Sequence, residues 1–186
     1  WISPTAFTRG YSQAREVNAV KHEMLRHIQF ESCFSLTGAN ADKRVKIAPA
    51  EEGEALLYLA GLVADKSGAV NGLPEGITSY QPNKLSEPSK AAIEKCAEEL
   101  VREKGSSLVL CGSNDVDKQH LVNFINQTLG NYGTTLALGP NAAQGRDEDI
   151  QTLIQEMKDG VVAALFILNA NPAYDHFEST EFINAL

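Results

Sequence analysis

A chain of 186 residues, 43% hydrophobic and 22% charged, has the balance of an ordinary globular domain, which excludes disordered and fibrous classes. Its formal net charge of -8, with no run of Lys or Arg, argues against binding to a phosphate backbone, so nucleic acid is not an expected partner. The longest apolar stretch, 161–168, is far too short to cross a bilayer and suits a buried strand, so no direct membrane span is expected.

In chain order, the pattern predicts a helix over 7–24, strands at 27–31 and 44–47, and a helix over 51–65 with Ala55, Leu56, Leu59, Leu62 and Val63 as its apolar stripe. Pro49, Glu51 and Glu52 form the entry to that helix, since proline tolerates the first turn and carboxylates favour it. The composition then shifts to Gly, Pro, Asn and Ser, which predicts a linker or long loop over 68–87. A helix over 87–104 follows, with Ile93, Cys96, Ala97, Leu100 and Val101 inward and Gly105 as its stop.

The apolar run at 107–111 predicts a strand buried on both faces. Asp115 or Asn114 caps the next helix, whose stripe is Leu121, Val122, Ile125 and Leu129 and which Gly130 ends. The step repeats with a strand at 134–138, a helix over 147–158 and a strand at 161–168. This alternation predicts an α/β fold, a Rossmann-like parallel sheet with flanking helices. The expected organisation is a first α/β lobe at 1–67, the linker at 68–87, and a second, Rossmann-like lobe at 88–186. The chain starts at Trp1 without a leader pattern, and its last residues, 179–186, read as an unfinished helix, so an internal piece of a longer protein is expected.

In open α/β sheets ligands bind at the carboxyl ends of the strands, which makes Gly112, Ser113 and Asn114 one candidate cofactor-binding loop and Asn171 and Pro172 another. Gly and small polar residues before a helix can bring backbone N–H groups to a phosphate. Neither glycine-rich phosphate fingerprint is present, however, and Asp115 would repel a phosphate, so a cap-and-turn role outweighs a ligand role. Cys33, Cys96 and Cys111 lack any C-x-x-C spacing, and no zinc or iron–sulfur site is expected from them. Cys96 and Cys111 read as small buried hydrophobes, and Cys33 as a cysteine near the surface. A nucleophilic Cys33 would need a base such as His22 or His27 beside it. His22, His27, His120 and His176 show no metal-ligand spacing, so no metal residues and no catalytic residues are assigned.

The stretch from Arg26 to Arg44, with Glu31-Ser32 and Ser35-Leu36-Thr37-Gly38-Ala39-Asn40-Ala41-Asp42 at its heart, resembles a segment of the molybdopterin-oxidoreductase-like, iron–sulfur subunit of bacterial alternative complex III. The stretches Cys111 to Val116, Val122 to Asn126, Leu129 to Gly133, Met157 to Leu165 and Asn171 to Asp175 are similar to its continuation. The resemblance covers nearly the whole chain apart from the linker.

It implies a middle domain of a molybdopterin-oxidoreductase-like subunit in a respiratory, quinol-oxidising electron-transfer complex, on the periplasmic side of the inner membrane. The implied partners are the other subunits of that membrane-bound complex. Iron–sulfur clusters are expected in a C-terminal part of the parent outside this segment, and the segment itself is expected to be a non-catalytic scaffold. Two other readings are a part of the guanine-dinucleotide cradle of an active molybdopterin oxidoreductase and a free-standing Rossmann module for a small ligand. True molybdopterin enzymes carry a proline-glycine-threonine-aspartate turn after the second strand, where this chain has Pro49-Ala50-Glu51-Glu52. A side chain and two carboxylates replace a close-approach glycine, which implies a vestigial molybdopterin guanine dinucleotide site.

Overall fold

The computed structural model describes residues 3–69, 76–137, 139 and 147–186. They fall into two compact units, Trp1–Leu138 and Gly139–Leu186. The first begins with α1 (Pro4–Arg15), β1 (Ile28–Glu31), the short α2 (Leu36–Ala39), β2 (Lys43–Lys46) and a single 3-10 turn at Pro49–Glu51. Three longer helices follow: α3 (Glu52–Ser67), α4 (Glu87–Arg102) and α5 (Val116–Thr128).

The predicted stripes supply most of the core of this unit, with one shift: in α3 Tyr58 and Ala60 are buried while Leu56 and Leu62 are only partly so. Tyr58, Leu59, Ala60 and Val63 of α3 meet Ile93, Cys96 and Ala97 of α4, together with Ile125 and Leu129 from α5 and its end. Caps fix where these helices start. The Ser86 hydroxyl accepts from Ser89 N–H, and the Asp115 carboxylate accepts from Lys118 N–H at 3.0 Å, each satisfying a donor that a helix start leaves unpaired. Gly68, at φ 67°, closes α3 in the left-handed region that a side chain disfavours.

Helix α1 is shorter than the pattern predicts, ending at Arg15 rather than 24. Asn18 accounts for the stop: its side-chain oxygen accepts from both Val20 N–H and Lys21 N–H at 2.9 Å, a turn that competes with helix. No residue of α1 is buried, so polar contacts hold it in place.

The expected Rossmann-like parallel sheet is not present among the described residues. About half of the chain is helical, and the sole sheet among the described residues is the parallel pair of β1 with β2, in the register Ile28 to Lys43 through Glu31 to Lys46. Three predicted strands fail, each for its own reason. The run 107–111 is irregular, with Leu108 and Leu110 exposed, because the Asn126 side chain takes both backbone groups of Val109, accepting its N–H at 3.0 Å and donating to its carbonyl at 2.7 Å. At 134–138 turn chemistry wins. The hydroxyls of Thr134 and Thr135 bond back to Gly130, Asn131 and Ser107 carbonyls, Leu136 makes a lone bridge to Tyr132, and Leu138 lies outside the described residues.

The run 161–168 belongs to the second unit, with α6 (Asp147–Lys158), α7 (Pro172–Asp175) and α8 (Ser179–Ala185). Ile154 of α6 and Phe182 of α8 are buried there, and the Lys158 ammonium donates to the Glu181 carboxylate. The 161–168 run is not a strand; Phe166 and Leu168 are more than nine-tenths exposed, and no described strand lies alongside to pair with it. Apolar composition alone does not supply the partner that a strand's backbone requires.

Candidate functional site

The stretch 26–44 folds around two carboxylates. Glu31 ends β1 and is almost completely buried. Its oxygens accept from the Ser35 hydroxyl at 2.5 Å, from Ser35 N–H at 3.3 Å and from Arg44 Nε at 2.5 Å. The Ser35 hydroxyl also caps α2 by accepting from Gly38 N–H at 2.9 Å. Hydrogen bonds from Ser35 and then from Arg44 outweigh burial and hold the Glu31 carboxyl below the usual carboxylate range. Gly38 is required by closeness rather than by φ. A Cβ there would lie 2.0 Å from Glu31 Oε1, so any side chain would push the carboxylate off its partners.

Asp42 is the second centre. Its two oxygens accept a bidentate pair from Arg15 at 2.8 and 3.0 Å, and one of them also accepts from His27 N–H at 2.7 Å. Arg15 further donates to the Leu25 carbonyl. The Tyr11 hydroxyl lies 2.9 Å from His27 Nδ1 and donates to the Asn40 carbonyl, while His27 Nε2 meets Gln29 at 3.0 Å. These contacts strap α1 onto the start of β1 and the loop before β2.

The Arg15 guanidinium, and then the His27 N–H, hold the Asp42 carboxyl well below the usual range. Because the folded-state pKa lies below the unfolded value of about 3.9, the stabilisation is complete above that value and is lost as pH falls through the folded pKa. Asp42→Asn is therefore expected to lower the melting temperature by a constant amount between pH 5 and 8, and by progressively less below about pH 4. Thermal melts of both proteins across that range test this. A penalty that keeps its size in acid would contradict it.

The turn at 49–52 is closed by its own carboxylates. Glu51 accepts from Ala48 N–H at 2.6 Å, and Glu52 accepts from the Lys118 ammonium at 3.1 Å, raising the pKa of that lysine. The loop Gly112, Ser113, Asn114 leads into α5, and Ser113 is used within it. Asp115 occupies the helix start, its N–H donates to the Ser113 hydroxyl, and the Gln119 amide donates to the Cys111 and Ser113 carbonyls. Asn171 and Pro172 lie in the other unit, where the Asn171 carbonyl accepts from Tyr174 and Asp175 N–H and Pro172 opens the short α7.

Of the cysteines, Cys33 is exposed, Cys96 buried and Cys111 partly exposed. Burial pushes the Cys96 thiol up to about 11, which leaves it protonated and unreactive at neutral pH. His27, one of the two bases proposed for Cys33, has Tyr11 and Gln29 as its ring partners. No group of three or more His, Cys, Asp or Glu side chains that could hold a metal ion is found among the described residues. No helix among them is long and apolar enough to cross a membrane.

The Glu31–Arg44 and Asp42–Arg15 pairs were not identifiable from spacing, because their partners lie 13 and 27 residues apart in sequence. The available signal was the run of small and hydroxyl-bearing residues at 32–41, with Arg26 and Arg44 at the two ends of the stretch. No protein-family model matches the chain, and no curated protein matches it.

Proposed function

We propose that the chain is a non-catalytic scaffold segment of a molybdopterin-oxidoreductase-like subunit in a respiratory, quinol-oxidising complex, on the periplasmic side of the bacterial inner membrane. Its partners are the other subunits, and the electrons travel through iron–sulfur clusters carried elsewhere in the parent. One observation carries the reading: in the stretch 26–44 the two carboxylates, Glu31 and Asp42, together with the Ser35 hydroxyl and the Arg44 guanidinium, are spent on holding α1, β1 and β2 together. Such a stretch positions a fold rather than a substrate.

A dinucleotide does not fit the loops that would cradle it. Ala50 and the carboxylates of Glu51 and Glu52 stand where a phosphate would need close backbone approach, and the Asp115 carboxylate fills the start of α5. The test is Arg44→Met in the native complex. We expect less assembled complex, measured as subunit recovery on native gels, with unchanged quinol oxidation per assembled complex. A normal amount of complex with lowered turnover would contradict the scaffold role.

A further inference from the structure

A groove of about 240 Å³ opens between the start of the two-stranded sheet and α4. Its apolar floor is Ile28 together with Ala91 and Ala92, and Arg26, Lys43 and Lys95 stand around it with a single carboxylate, Glu99. The geometry follows from the fold. Ile28 and Lys43 are register partners at the first rung of the sheet, and Ala91, Lys95 and Glu99 recur every fourth residue along α4, which places them on one side of the helix.

The charges do not cancel. Arg26 is bound to Glu99 through two hydrogen bonds of 2.5 and 3.0 Å, with half of its side chain exposed. Lys43 and Lys95 are exposed, and neither has a carboxylate within ion-pair distance among the described residues. A chain of net charge -8 thus presents two lysines without a close ion-pair partner beside an apolar floor, Lys95 sharing the field of Glu99 with Arg26. Such a patch attracts carboxylates within a Debye length, roughly 8–10 Å, and the Arg26 guanidinium can exchange its internal partner for an incoming one. The volume is below the roughly 300–1,000 Å³ typical of small-molecule pockets, so a short side chain matches it better than a whole ligand.

We propose that this groove docks an acidic segment of a partner protein, with one aliphatic side chain seated on Ile28, Ala91 and Ala92 and flanking carboxylates on Lys43, Lys95 and Arg26. The inference needs only the groove and its charges, and it stands whether or not the chain serves a quinol-oxidising complex.

The test uses the full chain and a fluorescein-labelled peptide in which Asp and Glu flank a central Leu, read by fluorescence anisotropy at about 50 and 300 mM NaCl. Saturable binding that weakens with salt is expected. It should fall about tenfold or more when Leu is replaced by Ala or when the protein carries Lys43→Glu and Lys95→Glu. Ala91→Phe, which fills the floor without changing charge, should cost a similar factor, and thermal melts confirm that each variant is folded. Absence of saturable binding, equal affinity for a peptide with Lys in place of Asp and Glu, or full binding by the folded charge-reversed or Ala91→Phe protein would overturn the proposal.

Discussion

Asn126→Ala is expected to destabilise the first unit by about 3–5 kcal/mol, among the largest effects of any single substitution in the chain. Asn126 is 1% exposed, and its amide makes four hydrogen bonds: it accepts from Val109 N–H and from the Asn131 amide, and donates to the Val109 and Val122 carbonyls. Asn131 is fully buried and continues the network to the Ser107 hydroxyl. Alanine leaves the Asn131 donor buried without that acceptor and frees both backbone groups of Val109, at about 1–3 kcal/mol for each buried group left unpaired. The part-buried Val109 groups can turn to water, which keeps the total below the simple sum. Urea denaturation of the two proteins measures the difference. Asn126→Leu should be as damaging, because it adds apolar volume without restoring an acceptor; a loss under about 1 kcal/mol would show that water replaces the network.

Gly61→Ala is expected to cost about 2–4 kcal/mol, although alanine is the better helix former. Gly61 lies in the interior of α3, and a Cβ there would come within 2.3 Å of the Ile77 carbonyl oxygen and 3.2 Å of its carbon. The obstacle is backbone, so the segment around Ile77 must move away. Ile77 is buried, and Tyr80 just after it donates to Glu54, whose other bonds come from Asn83 and Lys84 N–H. Displacing Ile77 therefore loosens a segment that α3 otherwise pins. Gly10→Ala in α1 is the matched control, since nothing lies within 4 Å of its Cβ position. That substitution should stabilise by about 0.5–1 kcal/mol through propensity and unfolded-state entropy. Thermal and urea unfolding of the pair tests the sign as well as the size.

The longer helices α3 to α6 and both strands of the sheet were legible in the sequence, whereas three further predicted strands do not form. Helices α3 to α6 announce themselves through a 3.6-residue stripe and through local punctuation, as in the Asp115 cap and the glycines after α4 and α5. Both signals are contained within a dozen neighbouring residues. β1 and β2 were also placed to within a residue or so. An apolar run such as 107–111, 134–138 or 161–168 carries no record of what lies beside it, and a strand is stable only beside a partner. In 107–111 a side chain 17 residues away from Val109 supplied the hydrogen bonds instead.

The candidate site shows the same division. The loop at Gly112 was readable as a helix entrance, because Asp115 and the following stripe are local. The Glu31 and Asp42 pairings were not, since they depend on α1 and β2 being folded against β1. The basic groove was equally hidden, for it joins residues from the first rung of the sheet to a helix more than forty residues later.

Metal and pterin content of the native parent protein tests the central claim most directly. The scaffold reading predicts iron without stoichiometric molybdenum or tungsten, and no pterin fluorescence in the oxidised extract. Stoichiometric molybdenum or tungsten with extractable pterin would contradict it and would assign the parent to an active molybdopterin oxidoreductase.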